Sequence, residues 1–416
     1  MTKFFLTAFI ILLLFSGCPD TGVQPKPNTL LFVVEDVTCT EVFLKLSLDP
    51  SEKQRTVTLL RNDSTVATIT MVSTDSLFVD EGLLPNKAYA YTLSNGSWKV
   101  TALATTMDTT SHNWSWEIDT LGIAYSMLYD VAIINDTLAY AVGQIYVKDS
   151  TGQFDPQPYN LAIWNGQSWK LQKLFANGFP PAINSVFAVS AFDVWFSPWF
   201  HWDGRNFQEI PSDPIFFGIG INKIWGDSNG IYVVGTNGFI AHRSANGTWT
   251  KIESGTDLDF QDIYGSGDEV LAVCTSNYPL GRGIYRIQEN TATEISSYPI
   301  GYQLFGVWFH QNRHYYVVGD GIYEKRFLSD NAWNNGPLDV TKYETKKMRG
   351  NGVNDAVVVG AFGECLHWNG KNWKSNRDQT AITDGEYESV AIKNNLVIAV
   401  GWYGSNGKAV VAIGKR

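Results

Sequence analysis

The sequence predicts an all-β protein: a small β-sandwich followed by a seven-bladed β-propeller that is closed by a strand lying ahead of its first blade. Three observations predict this. The 416 residues carry 15 Trp, 19 Tyr, 23 Phe and 37 Gly, the mixture expected of many short strands joined by tight turns. Apolar runs such as Ile231-Tyr-Val-Val and Tyr315-Tyr-Val-Val are short, and no long stripe falls at helical spacing, so helix should be scarce. An apolar anchor ending in a small residue also recurs seven times, with a period near 42 residues. That period suits blades of four strands, whereas helical solenoids need longer periodic runs.

The N-terminus reads as an address. Met1-Thr-Lys3 is a short positive start, Phe4 to Phe15 is apolar, and Ser16-Gly17-Cys18 follows. A signal peptide over 1–17 fits this anatomy, and the apolar run is too short to span a bilayer. Leu14-Phe15-Ser16-Gly17-Cys18 resembles the lipobox of bacterial lipoproteins, with Phe15 where that family usually has Leu. The resemblance implies lipidation of Cys18, a lipid anchor in the cell envelope, and the outer membrane as the expected location. Residues 18–28 then form a polar tether. Without Cys18 an odd set remains, Cys39, Cys274 and Cys365, so no disulfide framework is expected.

Residues 29–106 alternate apolar and polar positions, as in Val42-Phe-Leu-Lys-Leu-Ser-Leu, with turns at Asp49-Pro50-Ser51 and Arg61-Asn62-Asp63. Six or seven strands fit. The stretch Gly82-Leu-Leu84-Pro85-Asn86-Lys87-Ala88-Tyr89-Ala90-Tyr91 resembles the tyrosine-corner region of a fibronectin type III domain, an immunoglobulin-like sandwich in which a Tyr hydroxyl pins the loop. The Trp that family often places on an early core strand is replaced here by Leu44 or Leu46.

After a linker at 107–112, the repeat fills residues 113–416. Its anchors end at Gly143, Ser197, Gly235, Cys274, Gly319, Gly360 and Gly401, with spacings of 54, 38, 39, 45, 41 and 41 residues. Eleven or twelve residues earlier stands an apolar start: Val131, Val186, Ile224, Ile263, Val307, Met348 and Val390. Downstream comes a tight turn between aromatics, as in Ile163-Trp-Asn-Gly-Gln-Ser-Trp169 and His367-Trp-Asn-Gly-Lys-Asn-Trp373. Each unit is thus a four-stranded meander, but the seventh stops at Ala409-Val-Val-Ala-Ile-Gly414. Asn113-Trp-Ser-Trp116-Glu-Ile-Asp119 has the missing fourth-strand pattern and is expected to close the ring. The units resemble bacterial surface-propeller repeats of the form WG, DVWAVG, HWDGxxW, closest at Ile224 to His242, a family of largely unknown function. That resemblance implies a fold and no catalytic positions.

A net charge of −10 with no basic patch excludes nucleic acid as a partner. His201, His242 and His367 recur at one place in three units; equivalent positions lie a blade or more apart and cannot converge on one ion, so each should bond within its own blade. No metal, cofactor or catalytic residue is assigned, and a monomer is expected. Propellers usually bind on the face that carries the lead-in to the first strand and the loop between the second and third. Here those loops hold Tyr125, Tyr146, Tyr159, Phe179, Trp199, Phe216, Phe217, Tyr278, Arg282, Tyr302, Trp402 and Tyr403, and Gln144 to Tyr159 is the longest. Arg349 stands where other units carry Phe187, Trp225, Tyr264 or Trp308, and it would point into the central channel. The candidate ligand-binding residues are Tyr146, Tyr159, Trp199, Tyr278, Arg282, Arg349, Trp402 and Tyr403. They suit a non-catalytic protein that binds a glycan or protein. The alternative is a glycan-active hydrolase or lyase using carboxylates among Asp130, Asp257, Asp259, Asp262 and Glu386.

Overall fold

The computed structural model describes residues 31–47, 56–71, 73–95, 98–197, 200–211, 213–227, 229–277, 280–336, 340–404 and 407–416. The expected leader 1–17, Cys18 and its tether lie outside them. Two compact units emerge. One takes the described residues up to Asp36 with Val42–Asp80 and Tyr89–Ala104; the other takes Val37–Glu41, Glu81–Ala88 and Thr105–Arg416.

The first unit is built on two antiparallel sheets. Val42–Ser47 lies between Leu31–Val37 and Asp75–Asp80, and Thr56–Arg61 with Ala88–Ser94 lies between Ser64–Thr70 and Lys99–Thr105. The alternation seen in sequence places Leu44, Leu46, Val57, Leu59, Tyr91 and Leu93 in its interior. Asn62 and Asp63 both have positive φ, 48° and 66°, which lets the hairpin turn within two residues. The Tyr91 hydroxyl donates to the Asp80 carboxylate at 2.7 Å, and Arg61 holds the same carboxylate at 2.9 Å.

In the second unit, the described residues form seven four-stranded antiparallel sheets, six of them in sequence order. Their innermost strands are Met127–Asn135, Val186–Ser190, Ile221–Asp227, Asp259–Ser266, Leu304–His310, Thr345–Gly352 and Gly385–Lys393. Each packs against the next, and the seventh packs against the first. Apolar clusters fill the gaps between neighbouring sheets; Val142, Ile183, Val194 and Phe196 join the first to the second, and Ile398, Val411, Leu128 and Ala141 join the seventh to the first. Because both faces of each sheet are covered, the second strands read as unbroken runs such as Val317-Val-Gly319 rather than as alternation. Ser115–Leu121 pairs along its whole length with Lys408–Lys415, so the strand ahead of the repeat supplies the fourth strand of the seventh sheet. In the fifth sheet the fourth strand shrinks to Asn334–Asn335.

Helix is confined to the turns Arg377–Thr380 and Pro214–Phe216 among the described residues, and none there is long and apolar enough to cross a membrane. Cys39, Cys274 and Cys365 are buried free thiols. Burial pushes the Cys274 thiol up to about 12, which keeps it protonated and unreactive at neutral pH.

Candidate functional site

The site follows from the register of the innermost strands. The residue just before each apolar start is Asp130, Ser185, Lys223, Asp262, Gly306, Lys347 or Ser389, one from each sheet, and all are buried. These seven form a belt around the channel. Asp130 accepts from Ser185 Oγ at 2.7 Å, Val186 N at 2.9 Å, Lys223 Nζ at 2.5 Å and Ser389 Oγ at 2.6 Å, so one carboxylate ties the seventh, first, second and third sheets. Asp262 does the same for the other three. It accepts from Val307 N at 3.0 Å, takes the Arg349 guanidinium in a fork at 2.7 and 3.0 Å, and lies 3.2 Å from Lys347 Nζ.

Burial alone would raise both carboxyl pKa values, yet both fall below the usual carboxylate range. Lys223 lowers Asp130, and Arg349 with Lys347 lowers Asp262. Lys347 responds oppositely, its pKa pulled down to about 8 by burial although Asp262 raises it. Two carboxylates thus serve three cations, Asp130 taking Lys223 and Asp262 shared by Lys347 and Arg349.

Beneath the belt runs an aromatic collar from the next inward position. Phe187, Trp225, Tyr264 and Trp308 follow one another at centroid spacings of 6.3, 6.4 and 6.4 Å, and Arg349 lies 5.5 Å over Tyr264. The collar leaves no room for a side chain at the position after Tyr264 or after Arg349. A Cβ on Gly265 would meet the Trp225 ring at 2.2 Å, and one on Gly350 would meet Trp308 at 2.4 Å. A cavity of about 170 Å³ remains at this level.

Above the belt the strands do something different. Their register slips at Tyr129, Asn222, Gln261, Phe305, Lys346 and Glu388, where one extra residue bulges out of the ladder. Bulges re-aim side chains. These six, with Asn184 at the same place in the second sheet, line a cavity of about 350 Å³ at the mouth of the channel. Glu388 is the odd member. Burial and then the neighbouring Glu386 push its carboxyl up to about 7, while Lys346 and Lys347 pull the other way. Burial and Glu388 also raise Tyr129, whose hydroxyl therefore stays neutral.

The sequence-predicted residues scatter around this mouth. Tyr146 stacks on Phe154 at 5.3 Å within its own long loop, and Tyr159 packs under Lys173 at 4.9 Å. Arg282 bonds the Gly301 carbonyl at 3.2 Å beside a separate surface hollow near Tyr298. Trp402 Nε1 donates to Glu386 at 3.3 Å, and Tyr403 packs on the seventh-sheet core. Trp199 and Tyr278 lie outside the described residues. Arg349 does face the channel, but below the belt, where Asp262 and two backbone carbonyls take up its guanidinium. Phe216, read from sequence as a loop aromatic, is instead buried against Phe239 and Trp249.

Of the candidate carboxylates, Asp130 and Asp262 belong to the belt, Asp259 caps the Asn237 N–H at 2.9 Å, Glu386 faces Lys346 at 3.4 Å, and Asp257 is exposed. His201 and His367 bond Asp193 and Asp355 of their own sheets at 2.8 and 2.9 Å. His242 is a partial exception: Gly230 stands where that Asp would be, Nε2 has no partner, and the ring stacks on Tyr232 at 4.2 Å.

Sequence reasoning missed Glu388 and the mouth ring. The available signal was the polar pair ahead of six of the seven apolar starts, Tyr129-Asp130, Asn184-Ser185, Asn222-Lys223, Gln261-Asp262, Lys346-Lys347 and Glu388-Ser389, with Phe305-Gly306 ahead of the other.

The second unit belongs to the β-propeller class. No known protein family and no curated protein matches the sequence. Among solved structures, the chain is similar to YCF48 bound to D1 peptide, at 15% identity over 74% of this chain and 99% of that one, with a TM-score of 0.55. It is also similar to YCF48 from Cyanidioschyzon merolae, at 11% identity over 71% and 98%, TM-score 0.51, and to the WD40 repeats of RRP9, at 9% identity over 72% and 97%, TM-score 0.50. At these identities the likeness is one of fold.

Proposed function

We propose that this chain is a non-catalytic cell-envelope lipoprotein, anchored through Cys18, whose seven-bladed propeller over 113–416 binds a protein partner on its channel-mouth face. The domain over 29–106 is fibronectin type III-like and acts as a spacer. Its strand order, three strands on one sheet and four on the other with the fourth strand at an edge, supports that assignment.

One observation carries the binding reading: large exposed side chains gather around the mouth. Tyr125, Phe154, Phe179, Phe217, Tyr298, Tyr302 and Phe362 are exposed, and all sit on loops that lead into innermost strands or join second to third strands. On the turns of the opposite face Phe192 is the exposed aromatic among the described residues. Exposed aromatics rimming a polar cavity are the composition of a binding surface. That YCF48, a propeller of similar fold, is seen with a D1 peptide supports a protein segment over a glycan as the occupant. A hydrolase reading is weakened because Asp130 and Asp262 are engaged by buried cations.

Capture of envelope proteins by the full chain tests this. The pair Phe217→Ser and Tyr302→Ser should abolish a specific capture while leaving the melting temperature unchanged; undiminished capture overturns the reading. Binding to a glycan array by the unmodified chain, lost in the same pair, would move the partner from protein to glycan. Metabolic labelling with an alkynyl fatty acid should mark the chain and vanish in Cys18→Ser.

A further inference from the structure

The mouth cavity is lined by hydrogen-bond acceptors that no protein donor reaches among the described residues. Asn184 Nδ2 donates to the Ile221 carbonyl at 3.0 Å, Asn222 Nδ2 to the Phe260 carbonyl at 2.8 Å, and Gln261 Nε2 to the Asp259 carbonyl at 3.2 Å. A backbone carbonyl can only accept, so these bonds fix how each amide is turned. Their three amide oxygens then have no protein donor among the described residues. The cations of the cavity are already engaged: Lys223 by Asp130, Lys347 by Asp262 and the Gln261 and Phe305 carbonyls, and Lys346 by Glu344 at 2.7 Å and Glu386 at 3.4 Å. Glu388 lines the same space, hydrogen-bonded to Glu386 and in the field of Lys346 and Lys347, with no ion pair of its own among the described residues. Tyr129 adds aromatic surface to the wall, while the Phe305 ring already carries Lys346 Nζ at 4.1 Å.

We propose that the channel mouth is a socket for one basic side chain, Lys or Arg, projecting from the protein partner; the inference rests on the mouth face being the binding face. An ammonium carries three donors and a guanidinium five, and neither has an acceptor. Such a group complements three amide oxygens and a carboxylate, whereas an acidic side chain would compete for lysines that Asp130, Asp262, Glu344 and Glu386 already hold. The Tyr129 ring suits the aliphatic stem and, for Arg, the face of the guanidinium. About 350 Å³ accommodates one long side chain.

The socket also gives binding a direction with pH. The groups facing Glu388 are Glu386 on its own strand, Lys346 and Lys347 from the sixth sheet, and Tyr129 from the first. With its pKa at about 7, Glu388 is partly protonated in the empty socket at neutral pH. An entering cation favours the carboxylate, so binding releases a proton, and affinity rises with pH through that range.

The test uses the full chain and two blocked tripeptides, one with Arg at its centre and one with the isosteric, uncharged citrulline, titrated by NMR at pH 8 and pH 5.5. At pH 8 the Arg peptide should bind tighter than its citrulline counterpart by roughly tenfold to a hundredfold, the range of a charge-assisted hydrogen bond. That preference should shrink by about tenfold at pH 5.5, and Glu388→Gln should erase it at both. The pH dependence of the unsubstituted chain is an independent readout should the variant misfold. Equal affinity for the two peptides, no binding of either, or a preference indifferent to pH and to Glu388→Gln overturns the socket. If the socket fails while Phe217→Ser with Tyr302→Ser still abolishes partner capture, the face reading stands without it. If capture survives that pair, the face reading has failed on its own account.

Discussion

The belt and the mouth ring are made of consecutive residues on the same seven strands, and they solve opposite problems. In the belt, Asp130 and Asp262 each gather hydrogen bonds from neighbouring sheets and a buried cation, so the charges are neutralised inside the protein. In the mouth ring, the bulged residues turn toward an open cavity and leave amide oxygens and Glu388 to whatever enters. The lesson is that one position of register separates a device that holds sheets together from a surface that can recognise a ligand. A bulge makes that possible, because it breaks the alternation that would send neighbouring side chains to opposite faces.

Substitutions that remove belt charges should therefore damage stability first. Asp130→Ala strands the Lys223 ammonium and unties four sheets, and it should cost about 3 to 5 kcal/mol in denaturant unfolding; a loss below 1 kcal/mol would mean the belt does not hold the ring. The collar should come next. Gly265→Ala drives a Cβ into the Trp225 ring and should cost about 1 to 3 kcal/mol, and crystals of the variant should show Trp225 displaced. In the mouth ring, Asn222→Ala removes a single bond to the Phe260 carbonyl and should cost about 0.5 to 1.5 kcal/mol. A cost as large as that of Asp130→Ala would erase the distinction between the rings.

Much of the fold was legible. The apolar starts and anchors mark the first and second strands of the sheets, and the pattern over Asn113 to Asp119 marks the spare strand that pairs, as Ser115–Leu121, with Lys408–Lys415. These are local signals, repeated often enough to reinforce one another. The site was legible only in fragments. Asp130, Asp262 and Arg349 stood out by type, but their roles depend on partners far along the chain: Lys223 and Ser389 for Asp130, and Arg349 for Asp262. Spacing within one unit cannot reveal a bond between units. Arg349 illustrates this, since its place facing the channel followed from the repeat, whereas its neutralisation by Asp262 did not. The loop aromatics were only partly informative, because Tyr146 and Tyr159 turn to packing while Phe217 and Tyr302 stay exposed.

The two rings can be set against each other by neutralising one carboxylate in each and following unfolding at pH 8. Asp262→Asn leaves Arg349 and Lys347 buried without a counter-charge and should destabilise by about 3 to 5 kcal/mol. For Glu388 the sign reverses. Its folded pKa of about 7 lies above the ordinary 4.5, so its contribution is full below about 4.5 and is lost as pH rises through 7. At pH 8 the ionised group is a burden, and Glu388→Gln should stabilise by on the order of 1 to 3 kcal/mol, a gain that disappears at pH 4. Opposite signs at pH 8 are the predicted result; destabilisation of similar size in both variants would contradict the account.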